Sequence, residues 1–236
     1  MIFLNEPNLR RIYELIVRAV RKIIKNLREK RKKVGKYNPL VREIIVESLK
    51  DLEESSKFIA YSAIERSIVT SLGSLFENIA KVFENYEDSP YKDIIDQIKA
   101  KNRVDMVKVV DNTYYFIQVK SGPLTINRDI ADETKQKLTN AVVSFLDSID
   151  DSNIDADLFL GLCYGTDEDM MFHCEYVGLD YKIGDEFWSF ISEGELTLSG
   201  LIWLFRETLR RENLSLSIRD EILGYLRQLG SELENG

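Results

Sequence analysis

The sequence predicts an α/β protein, a small central sheet flanked by helices. Three observations carry this. Apolar residues recur at helical spacing through the first third and the last quarter of the chain. Two β-branched and aromatic runs in the middle are joined by a hairpin dipeptide. A third such run, Ala156–Cys163, follows after a further helical stretch.

Each element has its own signal. Leu9, Ile12, Leu15, Ile16, Ala19, Val20, Ile23 and Leu27 form one apolar stripe, predicting a helix from Asn8 to about Lys33, which Gly35 and Asn38-Pro39 terminate. A second helix is expected over Leu40–Leu52 and a third over Phe58–Phe83, the latter interrupted by Gly73. A short helix near Tyr91–Lys99 leads into strands at Arg103–Val110 and Thr113–Lys120, with Asp111-Asn112 as the turn. Ser121-Gly122-Pro123 breaks the second strand, and Asn127 is placed to cap a helix reaching Leu146. Strands are expected at Ala156–Cys163 and Met170–Tyr176, then helices at Glu186–Ile191, Thr197–Arg211 and Ile218–Leu233. Two regions within one continuous structural unit are expected: a basic helical arm over residues 1–55, suited to clamping DNA or to dimerisation, and a core with C-terminal helices over residues 56–236.

Composition narrows the chemistry. A chain of 236 residues with 44% hydrophobic and 31% charged residues is ordinary for a globular protein. No run is long enough to span a bilayer, and Glu6-Pro7 interrupts any secretory signal, so a cytoplasmic setting is expected. Cys163 and Cys174 give neither a disulfide framework nor zinc spacing. His173 is the only histidine, which disfavours imidazole-based nucleases, zinc hydrolases and Ser-His-Asp enzymes. The net charge is −8, yet residues 1–50 carry fourteen Lys/Arg against five acids. That asymmetry suits a phosphate-facing arm on an acidic body, although a solvated helix face would have the same composition.

One strand ends oddly. In RVDMVKVVDNTYYFIQVKSGP an apolar run finishes on Gln118-Val119-Lys120. A two-residue turn at Asp111-Asn112 sets a register in which Asp105 faces Gln118, with Lys120 on the same face. A carboxylate, an amide oxygen and an ammonium at one sheet edge suit phosphodiester hydrolysis assisted by Mg²⁺, which takes oxygen ligands and keeps several waters. Asp96 and Asp111 are rival carboxylates, but Asp111 sits in the turn and Asp96 precedes the strand.

Asp105, twelve intervening residues and then Gln118-Val119-Lys120 resemble the PD-(D/E)xK nuclease superfamily. Glu77, in SLGSLFENIAKVF, matches the helical glutamate that many members aim at the metal. SGPLTIN (Ser121–Asn127) and GDEFWSFISEG (Gly184–Gly194) are similar to segments of certain type II restriction endonucleases, the group with a Lys-Ser-Gly-Pro-x-Thr-Ile-Asn stretch. The matched region runs from about Glu65 to Gly194, leaving the terminal helices outside it.

The resemblance implies a restriction-endonuclease-like core with a mixed sheet and helical N- and C-terminal extensions. It implies a Mg²⁺-dependent endonuclease acting on double-stranded DNA at a specific, palindromic site as a homodimer, with a cognate methyltransferase encoded nearby. Asp105, Gln118, Glu77 and the Val119 carbonyl would hold the metal, and Lys120 would serve the water or the transition state. Ser121, Thr125, Asn127 and Arg128 at the rim, and Arg21, Lys25 and Arg28 on the first helix, would touch DNA. Two departures stand out. Val104 replaces a proline that many active members lack, and Gln118 replaces the usual acid. Either Asp105, Glu77 and the Val119 carbonyl suffice, or cleavage is weak and the chain is a DNA-binding dimer. A repair or junction nuclease is the third possibility.

Overall fold

The computed structural model describes residues 5–31, 48–49, 52–171 and 178–234. The chain divides into two compact units, Met1–Ile12 with Leu75–Leu204 and Tyr13–Ser74 with Phe205–Gly236. The described helices are α1 (Glu6–Arg31), α2 (Leu52–Ala80), α3 (Lys92–Asn102), α4 (Arg128–Leu146), α5 (Asp167–Met171), α6 (Asp185–Ile191), α7 (Leu198–Arg211) and α8 (Leu214–Glu234). The strands are β1 (Met106–Val110), β2 (Thr113–Lys120), β3 (Asp155–Leu162) and β4 (Tyr181–Ile183).

The first unit is built on a mixed sheet of order β1-β2-β3-β4. β1 and β2 are antiparallel, in the register Met106 to Ile117 through Val110 to Thr113. β2 to β3 and β3 to β4 are parallel, as crossovers through helices require. One face carries Val107, Tyr114 and Phe116 and packs against α3 and α4 through Ile95, Ile98, Leu138, Ala141 and Phe145. The opposite face carries Tyr115 and Phe159, which meet Phe190 of α6 edge-on. The expected α/β class and the central mixed sheet are therefore present, and Tyr114, Tyr115 and Phe116 pack on both faces.

The second unit is helical. Ile23 and Leu27 of α1, Ile59, Ala60 and Ile64 of α2, and Tyr225 and Leu229 of α8 form its core. Most of the stripe read from the sequence is buried, with Ile12, Ile16, Val20 and Leu27 showing no exposed surface, while Leu9 at its start is exposed.

Differences from expectation have local causes. β1 starts at Met106 because α3 runs to Asn102 and Arg103 closes it in a left-handed conformation, φ 55°. Gly73 does not break α2. Its cost of about 1 kcal/mol is small beside the burial of Leu75, Ile79 and Ala80 in the turns that follow. The strand expected at Met170–Tyr176 is corrected in part, since Met170 and Met171 belong to α5 while 172–177 fall outside the described residues. Thr166 and Asp169 form a reciprocal cap that starts α5 there. β4 was missed because three residues are too few to show periodicity. The helix expected over Leu40–Leu52 falls largely outside the described residues.

Gly161 shows how tightly the sheet is covered. A Cβ there would lie 2.3 Å from the ring of Phe187, which has no exposed surface. Gly161→Ala should therefore destabilise the fold by about 1–3 kcal/mol, read as a lower midpoint in urea unfolding with an unchanged slope.

Candidate active site

The hairpin register brings the opening constellation together. Met106 pairs with Ile117, so Asp105 comes opposite Gln118 one step further on. The Gln118 amide donates to Asp105 Oδ2, and the Val119 N–H donates to the same oxygen at 2.8 Å. β1 has ended here, so the aspartate side chain takes the bond that a neighbouring strand would otherwise supply. Alternation along an extended strand turns the Val119 carbonyl toward this same edge. The Lys120 carbonyl points the other way and accepts from Cys163 N at 3.0 Å. Gln118 and Lys120 share the face of Phe116, where α4 packs.

Two further groups reach this edge. Glu77, in the last turn of α2, acts electrostatically on Cys163 together with Asp105. Lys81 follows Glu77 by four residues, one helical turn on. Burial pushes the Asp105 carboxyl up, against the Val119 N–H and the charges of Lys120, Lys81 and Lys137, which favour the anion. Burial also raises Glu77, with repulsion from Asp105 adding to it and Lys81 and Lys120 opposing. The thiol of Cys163 is pushed up by burial first, then by Glu77 and Asp105. Burial thus disfavours the charged form of both acids, and the neighbouring lysines oppose that effect.

The residues were tested against Mg²⁺. Gln118 is 8% exposed, and its Oε1 is buried without a hydrogen-bond partner among the described residues. Such an atom costs about 1–3 kcal/mol unless something pairs with it. Among the described residues no three of His, Cys, Asp and Glu converge into a ready metal cage. The donor set is instead mixed: two carboxylates, one amide oxygen and one backbone carbonyl. All are oxygens, which is what Mg²⁺ takes, and few carboxylates are needed when water completes the shell. The set fits.

The remaining sequence candidates are placed as follows. Thr125 Oγ1 donates to the Gly122 carbonyl at 2.6 Å, and Asn127 Oδ1 caps α4 by accepting from Ile130 N at 2.9 Å. Ser121 is half-buried and Arg128 is exposed. Arg21, Lys25 and Arg28 belong to the helical unit, where Arg21 meets Glu212 at 3.4 Å and Arg28 meets Glu221 at 2.9 Å. Asp96 is held by Lys92 and Tyr86 on α3, and Asp111 sits in the turn with φ 52°. Sequence reading missed Lys81 and Lys137. The spacing Glu77-x-x-x-Lys81 was the available signal for the first; Lys137 carried none.

The family model of the type II restriction endonuclease EcoO109I matches residues 16–213. The chain belongs to this family. The match takes in the whole Asp105–Lys120 hairpin and extends beyond the Glu65–Gly194 region that carries the sequence resemblance, into α1 and α7. No curated protein matches the chain. The family is one of nucleases that act on DNA, so a restriction-endonuclease-like α/β fold and a DNA-directed nuclease are the chain's class.

The raised Asp105 carboxyl gives a pH prediction. In the interval between its ordinary pKa and its raised folded value, the folded chain binds more protons than the unfolded one. The stability it contributes is full below the ordinary carboxylate pKa and is lost as pH rises through the folded value. Asp105→Asn should therefore melt higher than the parent at neutral pH in EDTA, and the gap should close as pH falls toward 4. Melting temperatures across that range check it; a variant that melts lower at neutral pH contradicts the dominance of burial.

Proposed function

We propose that the protein is a Mg²⁺-dependent type II endonuclease that cuts double-stranded DNA at a specific, palindromic site as a homodimer in the cytoplasm. The observation that supports this most strongly is the convergence of Asp105, Gln118 and the backbone of Val119 on one sheet edge, with Lys120 on the same face. In this reading Asp105, Glu77, the Val119 carbonyl and Gln118 Oε1 hold the cation. Mg²⁺ bound there would supply Lewis acidity and a water of lowered pKa. The Lys120 ammonium would orient the attacking water or stabilise charge developing on the phosphate. Ser121, Thr125, Asn127 and Arg128 lie on the rim toward DNA, Ser121 and Arg128 as contacts and Thr125 and Asn127 as braces of the loop that carries them. The basic first helix, with Arg21, Lys25 and Arg28, serves as a backbone clamp or a dimer contact within an arm of residues 1–55. A palindromic target gives each subunit one strand to cut, and a cognate methyltransferase gene nearby is the genetic counterpart.

Gln118 sets the activity. Its amide donates to Asp105 where the superfamily usually has an acid, so the edge has one negative charge fewer. That substitution favours a second reading, a DNA-binding dimer of the same fold with little hydrolysis. Plasmid digestion with Mg²⁺ and with EDTA separates the readings: discrete Mg²⁺-dependent fragments support the first, and retained binding without cutting supports the second. Structure-selective nicking would point to a repair or junction nuclease.

Lys120→Ala should lower the cleavage rate by at least about a hundredfold while leaving DNA affinity in EDTA within a few-fold. Gln118→Glu should lower the Mg²⁺ concentration for half-maximal cleavage, because it restores the missing charge. Loss of all cleavage in Gln118→Glu would contradict the role given to the amide.

A further inference from the structure

The loop after Lys120 presents one side chain that its polar neighbours do not explain. Leu124 is 87% exposed, more than any other exposed large hydrophobic residue described, the next being Tyr61 at 57%. It sits in a 3-10 turn, Pro123–Thr125, that the structure holds firmly. Gly122 lies against the Tyr164 ring so closely that a Cβ would be 2.5 Å from it. Thr125 N donates to the Gly122 carbonyl at 3.0 Å, Ile126 N to the Pro123 carbonyl at 3.0 Å, and Tyr164 N to the Ser121 carbonyl at 3.0 Å. Pro123 and Ile126 are buried on either side. Thr125 and Asn127, both expected to touch DNA, spend their side chains inside the loop, on the Gly122 carbonyl and the α4 cap. The loop is built to project Leu124.

Its position says toward what. Four residues of chain separate Leu124 from Lys120, so their Cα atoms lie within about 14 Å. That is about four base-pair steps of duplex, at about 3.4 Å per step. A pre-ordered apolar side chain at that range has apolar base and sugar atoms to cover in a groove of the DNA.

Resting on the nuclease reading above, we propose that Leu124 is a DNA-contacting, positioning residue that seats in a groove beside the scissile phosphate. It acts through shape and water exclusion, since it has no charge.

The test uses the full-length protein as Leu124→Ala, Leu124→Asn and Leu124→Met, with DNA binding in EDTA across a salt series and cleavage in Mg²⁺. The alanine and asparagine variants should lose at least about tenfold in kcat/KM, the factor that burying most of one leucine side chain carries, and Leu124→Met should recover most of it. The slope of affinity against salt should stay unchanged, because no counterion release is lost. Melting temperature should not fall, because the exposed side chain packs on little of the protein. Wild-type cleavage with alanine and asparagine variants that cut within twofold of it overturns this inference alone. A wild-type protein that neither binds nor cuts DNA overturns the nuclease reading and this inference with it. A changed salt slope would overturn the apolar contact.

Discussion

Everything at the candidate site depends on where β1 stops. Because α3 closes at Arg103 and pairing begins at Met106, the last stretch of β2 has no strand beside it on that side. Asp105 fills the gap with its side chain, accepting from Val119 N, and is thereby fixed opposite Gln118. Had β1 paired two residues further, the Val119 backbone would be spent on an ordinary ladder bond. The carboxylate would then have no reason to lie in the sheet edge. Early strand termination thus turns a structural hydrogen bond into the organising contact of a site.

Burial and charge balance around that contact. Raised carboxyls at Asp105 and Glu77 are costly in isolation, and Lys120, Lys81 and Lys137 reduce the cost without removing it. A divalent cation at this edge would offset the repulsion between the two carboxylates. Gln118 tempers this arrangement. Its amide nitrogen steadies Asp105 while its oxygen is buried without a partner among the described residues, so the residue contributes geometry more than charge. Natural proteins break local rules of satisfied burial most often where function needs it, and among the described residues Gln118 Oε1 is such a break.

Much of this was legible in the sequence, for identifiable reasons. A two-residue hairpin turn fixes side-chain parity, so the facing of 105 and 118 follows from counting along the sequence. The apolar stripe of α1 and the Asn127 cap are likewise local signals, and both are realised. What was not legible depends on contacts distant in sequence. Lys137 joins the site only because α4 packs on the face that carries Lys120. β4 is defined by pairing with β3 and not by its own composition. Leu124 reads as one more apolar residue in SGPLTIN until its neighbours are seen to be buried and it is not. The acids opposite Arg21 and Arg28, Glu212 and Glu221, are nearly two hundred residues away in sequence. The basic character counted over residues 1–50 therefore overstates the free charge of α1.

The most direct test is anomalous diffraction from crystals soaked in Mn²⁺, a stand-in for Mg²⁺ with similar oxygen preference. The account predicts a peak at about 2.0–2.5 Å from the Asp105 carboxylate and the Val119 carbonyl, typical of metal–oxygen bonds. A metal peak bound elsewhere on the chain, with this edge empty at saturating Mn²⁺, would contradict it.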